Sequence, residues 1–190
     1  MSLQPRAPAE DGVTLVELLV YSILLVTVLL MVGTIMISTQ NIGLIVREST
    51  TTASAAQLAA TSIETGVRNA TAVKLTDIGD DQMLQVRTVG SDPNTVVWRC
   101  QSWYFSAAAG TIRFLSSASD AVPVASPTGE PTNWGLLVNN VDPSTRTGIF
   151  TPSGNSITME FHGTAAGSAP VVIRTSVVLR PEPLESASCF

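Results

Sequence analysis

Few residues in this chain could do covalent or acid–base chemistry. It has a single histidine, His162. A lone imidazole more often serves structure or faces solvent than acts as a catalyst. Neither a GxSxG elbow nor a Walker loop occurs, so acyl transfer to serine and phosphoryl transfer lack their usual cradles. Two groups of oxygen ligands fall at turns: Asp77, Asp80 and Asp81, and Asn140 with Asp142. Such oxygens suit Ca²⁺, but neither group has EF-hand spacing, and acids at turns are ordinarily solvated. The reading is a non-enzyme with no cofactor and no metal. Cys100 and Cys189 lie far apart, with no CxxC spacing. In an exported domain an even cysteine count points to a disulfide between them. Two free thiols, one of them buried, are the alternative.

The most unusual placement is that of Glu17. Between residues 13 and 37 it is the only charge. A run of about 20 apolar residues crosses a bilayer as a helix. A carboxylate costs up to ~2.5–3.5 kcal/mol at the centre of such a helix and less near its end, so Glu17 calls for a partner. The run is too long for a secretory signal, which has ~7–15 apolar residues followed by a small-residue cut. Here the small residue, Gly12, stands before the run. The residues ahead of it are polar and include Pro5, Pro8 and a single base, Arg6. They read as a short cytoplasmic leader.

The segment Gly12-Val13-Thr14-Leu15-Val16-Glu17-Leu18-Leu19-Val20 resembles the processing motif of type IV prepilins and type II secretion pseudopilins. The resemblance implies that a prepilin peptidase cuts after Gly12 and N-methylates Val13. Glu17 is then the fifth mature residue, the position where the family carries its glutamate. It also implies that Glu17 pairs with the Val13 amine of a neighbouring subunit and sets axial register during assembly. Two features depart from the family's commonest pattern: Val13 stands where phenylalanine is usual, and Glu10 and Asp11 flank the cut where bases are usual. Orientation, with the N-terminus inside and the head outside, therefore rests on the resemblance rather than on the positive-inside rule.

These residues must be positioned by a helix. No proline interrupts 13–70. Small and apolar residues recur at Ile42, Val46, Ser49, Ala53, Ala56, Ala60, Ile63, Val67 and Ala70, alternating steps of four and three, which marks one helix face. Glu64 and Arg68 stand at i,i+4 in the favoured order. Gly33, Gly43 and the threonines at 50–52 are where such a helix would bend. Beyond it the texture becomes β. Strands are expected at 72–78 and 82–89, at 95–106 and 111–116, at 134–141, at 156–162 and at 171–180. Alternation within 95–106 puts Trp98, Cys100 and Tyr104 on one face, and Trp103 and Phe105 on the other. Prolines 123, 127 and 131 make 117–133 a surface loop. The tail 181–190 is irregular unless Cys189 pins it.

The expected architecture is α+β: a long N-terminal helix, membrane-spanning in its first half, packed on an antiparallel head. Its parts are a leader (1–12), a membrane and assembly segment (13–37), an exported continuation (38–71) and a β-rich head (72–190). Trp98-Arg99-Cys100, Trp103-Tyr104-Phe105, Arg113-Phe114 and the closing Ser176-Val177-Val178-Leu179-Arg180 resemble the larger minor pilins and pseudopilins, more loosely than the N-terminal motif does. That resemblance implies a pilin-like fold and a minor subunit that initiates or caps a type IV pilus-like fibre. Implied partners are other pilin or pseudopilin subunits, a prepilin peptidase, the pilus assembly machinery and the membrane. The alternatives are a minor pseudopilin of a type II secretion system and, in another class, a membrane-anchored adhesin that never assembles. The net charge of −5 and the scattered bases give no footprint for nucleic acid.

Overall fold

The computed structural model describes residues 14–89, 97–117, 130–144, 148–179 and 189. Among these residues the layout is α+β: one long helix, α1 (Leu15–Arg68), then nine antiparallel strands. The chain divides into two units, one ending at Leu44 and one beginning at Ile45.

In the first unit the described residues form the first part of α1, which runs unbroken through Gly33 and Gly43. Its apolar side chains are exposed all the way round; Leu15 is 83% and Met31 72% exposed. The most apolar 18-residue window has a mean hydropathy of 2.7 with none of it buried, long and apolar enough to cross a membrane. Several hydroxyls in this stretch are satisfied within the helix. Ser22, Thr27 and Thr34 each donate to the carbonyl three residues back at 2.8 Å, which spares them the cost of an unpaired polar group in an apolar medium.

In the second unit, α1 buries Thr52, Ala56, Ala59, Ile63, Gly66 and Val67. The expected face is met from Ala56 onward but not at its start: Ile42 and Val46 remain 61% and 56% exposed. Spacing alone cannot tell a residue that packs on its own sheet from one that meets a different surface. Arg68 pairs with Glu64 on the solvent side, and the helix stops two residues earlier than the periodicity suggests, because Ala70 already belongs to a strand.

Five strands form one meandering sheet in sequence order: β1 (Ala70–Ile78), β2 (Asp81–Val89), β3 (Trp98–Ser106), β4 (Thr111–Ser117) and β5 (Gly135–Val138). The second sheet is built around β8 (Ser156–Gly163). β6 (Val141–Pro143) and β7 (Phe150–Ser153) share one edge of it, and β9 (Val171–Val178) takes the other. The expected single strand over 134–141 is thus two strands in different sheets. Asn140 is the cause: it adopts φ +54°, a left-handed conformation that asparagine tolerates better than most residues. Its carbonyl accepts hydrogen bonds from the Thr164 amide at 2.9 Å and hydroxyl at 3.1 Å. β7 is not among the strands expected from the sequence; it contains Pro152 and is a short edge strand. Much of the expected loop 117–133 lies outside the described residues, as do 95–96, residue 180 and the tail apart from Cys189.

The helix and both sheets share one core, in which Ala56, Ile63, Leu84, Trp103, Phe105, Phe150, Met159 and Phe161 are almost fully buried. One side chain, Gln82, bridges the two sheets. The Gln82 amide donates to the Phe150 carbonyl at 3.1 Å and accepts the Phe150 N–H at 2.8 Å, so it imitates a backbone pair. Gly148 (φ +92°) leaves room for that amide, since a Cβ there would lie 2.2 Å from Gln82 Oε1.

The helix approaches the sheet closely at Gly66. A Cβ there would lie 2.2 Å from Cη2 of Trp103, whose indole N–H donates to Ser62 Oγ at 3.2 Å. The ring also packs against Phe114, with centroids 5.4 Å apart, and so cannot retreat easily. Gly66→Ala gains up to ~1 kcal/mol of helix propensity but forces overpacking that costs about 1–3 kcal/mol or more. The expected outcome is a lower thermal midpoint for the full chain in detergent, while Gly43→Ala, with nothing within 4 Å, leaves it unchanged or higher. Equal midpoints for wild type and Gly66→Ala would contradict this packing.

Candidate functional site

Gly12 and Val13 lie outside the described residues. Thr14, which follows them, caps α1: its hydroxyl oxygen accepts the Glu17 N–H at 3.3 Å. Thr14-Leu15-Val16-Glu17 is the threonine-x-x-glutamate pattern of a helix start, a signal present in the sequence that the reading above did not use. A carboxylate in the first turn is favoured by the unpaired N–H groups there. The Glu17 side chain does not fold back onto the cap. It accepts a hydrogen bond from the Tyr21 hydroxyl at 3.0 Å, one turn along the helix. Its second oxygen has no hydrogen-bond partner among the described residues.

Around this carboxylate the surface is apolar: Leu15, Val16 and Leu18 are 83%, 69% and 64% exposed. Among the described residues no nucleophile and no second carboxylate stands beside Glu17. One carboxylate oxygen accepts from the Tyr21 phenol, and the other could accept from a further donor or meet a cation. Tyr21 was missed as the partner of Glu17, although its i,i+4 spacing is legible.

Cys100 and Cys189 form a disulfide with Cα atoms 5.6 Å apart, closing 89 residues of sequence. It sits on the face of the five-stranded sheet away from the helix, in a small cluster with Met83, Tyr104 and Trp134. The alternation expected for β3 holds: Cys100 and Tyr104 face this cluster, while Trp103 and Phe105 face the main core. Tyr104 and Trp134 meet edge to face at 6.3 Å.

Two of the acids at the β1–β2 turn, Asp81 and Asp77, have structural partners. Asp81 accepts the Tyr104 hydroxyl at 2.5 Å and the Ala107 N–H at 2.7 Å, which ties the β1–β2 turn to the β3–β4 turn. Burial, reinforced by the Asp81 hydrogen bond and negative charge, pushes the Tyr104 phenol well above its usual range. Asp77 accepts from Gln82 Nε2 at 2.9 Å. Glu130 is pushed up by burial but pulled down further by the Thr111 hydroxyl and the Arg113 guanidinium, so its carboxyl stays below the usual range. His162 stands opposite Asp142 on β6 and Val172 on β9. A cleft of about 590 Å³ beside α1, with Ser62, Thr65, Asn69, Arg99 and Gln101 in its wall, brings together no acid–base or nucleophile pair.

The disulfide closes a long loop, and its loss is expected to destabilise the protein by about 2–5 kcal/mol. Replacing Cys100 and Cys189 together with alanine should lower the denaturant midpoint accordingly. Protein recovered from membranes and unfolded without reductant should show no reactive thiol; two titrating thiols would contradict the pairing.

No protein-family model, curated protein or solved structure matches the chain.

Proposed function

We propose that this chain is a minor pilin with a pilin-like fold, a structural subunit that initiates or caps a type IV pilus-like fibre. In this reading a prepilin peptidase removes residues 1–12 and methylates the new amine of Val13. The precursor sits in the cytoplasmic membrane through the first half of α1, with its head outside. The assembly machinery then draws it into the fibre, where it packs against other subunits. The observation that carries the reading is Glu17: a single carboxylate in the first turn of a helix whose apolar surface is otherwise uncovered, five residues beyond Gly12. A carboxylate oxygen with no hydrogen-bond partner among the described residues is suited to an ammonium group. Cutting after Gly12 would create such a group on each neighbouring copy.

Lipid and a fibre core cover apolar surface about equally well, so passage from one to the other costs little hydrophobic energy. What distinguishes them is the charge pair. Glu17→Ala removes the charge and makes the helix easier to hold in lipid. Membrane insertion and cleavage at Gly12 are therefore expected to persist. Entry into the fibre is expected to fall, so processed protein accumulates in the membrane and is depleted from material sheared off the cell. Immunoblotting of the two fractions reads this directly. Equal amounts of wild-type and Glu17→Ala protein in sheared fibres would overturn the register role. Unchanged surface display with no sheared fraction at all would favour a non-assembling anchored adhesin.

A further inference from the structure

The strand edges of the head are unequal. β1 carries a bulge between Ala70 and Ala72 and exposes Lys74 and Asp77. β6 and β7 are short and contain Pro143 and Pro152. These are the usual devices that keep an edge from pairing with another chain. β9 has neither a bulge nor a proline. It runs for eight residues, VVIRTSVV, without proline, and pairs β8 along its whole length. Among the described residues no strand lies on its other side, and its residues make no backbone hydrogen bond outside the β8 ladder. Its one charge, Arg174, is held by Glu160 at 3.2 Å. Val172 and Val178 stand 59% and 68% exposed on the outer face.

The order of residues says what fits this edge. Residues 172, 174, 176 and 178 face out, and 171, 173, 175 and 177 face in. A second β9 laid antiparallel must bring like faces together, or core residues would meet solvent residues across the joint. The same requirement ensures that free backbone groups meet free backbone groups. Two central two-fold axes satisfy it. An axis at Arg174 sets two guanidinium groups directly opposite, which is unfavourable. An axis at Thr175 sets Val172 against Val178, Ile173 against Val177 and Arg174 against Ser176, so apolar residues meet apolar ones on both faces. We propose that a second copy of this chain pairs with β9 about a two-fold axis at Thr175, joining two four-stranded sheets into one. This self-pairing is isologous and closed, and it does not rest on the pilin reading.

The test uses the full chain in detergent micelles. Since no cysteine is free, Thr175→Cys introduces the sole reactive thiol, placed on the axis within disulfide reach of its counterpart. Under mild oxidation it should give roughly tenfold more covalent dimer than Arg174→Cys or Ser176→Cys, which face each other rather than themselves. Adding Val172→Lys and Val178→Lys to Thr175→Cys sets ammonium groups opposite one another and should cut the yield roughly tenfold. Val172→Lys with Val178→Glu should restore it, because those two positions meet across the axis. Both side chains are exposed, so none of these changes enters the core. Thr175→Cys cross-linking no better than its two neighbours, or a yield indifferent to the paired lysines, would overturn the proposal.

Discussion

The constraint on which the rest depends is the uncovered apolar surface of α1 up to Leu44. Burying one large aliphatic side chain is worth about 1.5–3 kcal/mol. Leaving even ten of them in water therefore costs more than the ~5–15 kcal/mol by which a domain is stable. That surface requires lipid or other protein. Because it is apolar on every side rather than along one stripe, it suits a surrounding medium better than a single docking groove. Within such a surface one carboxylate stands out: the Tyr21 hydroxyl donates to it, and Thr14 caps the helix turn that carries it.

The second part of α1 solves a different problem with the same helix. Alanines and Gly66 replace the large side chains, so a sheet can approach closely enough for the Trp103 ring to lie over Gly66. The head is then closed by a few polar contacts with narrow geometric demands. Gln82 bridges the two sheets through the Phe150 backbone. Asp81 joins two turns through Tyr104 and Ala107. The Cys100–Cys189 bridge holds residue 189 against the outer face of the five-stranded sheet.

Much of this was legible in the sequence because it follows from periodicity. The long helix, the strands expected at 82–89 and 95–106, and the opposite facing of Trp103 and Tyr104 all come from spacings of 3.6 and 2. Strand ends agreed to within a few residues. What escaped detection depends on tertiary context. Ile42 and Val46 continue the helical stripe yet stay exposed, since spacing does not reveal what lies opposite. The break at Asn140 needs a left-handed backbone that several residue types could have supplied. β7 forms despite Pro152 because only one of its edges is paired. At the candidate site, the cap at Thr14 and the Tyr21 partner were readable from local spacing, whereas the structural duties of Asp77 and Asp81 emerge only when distant turns meet.

The central claim is that the uncovered helix begins at a cut made for assembly, and one measurement addresses it most directly. Intact mass and N-terminal sequencing of the protein isolated from its native membrane report the first residue and its modification together. The account predicts a chain beginning at Val13 and carrying one methyl group on its amine. A chain that retains residues 1–12, or one cut beyond Ile37 so that the apolar helix is lost, would contradict it.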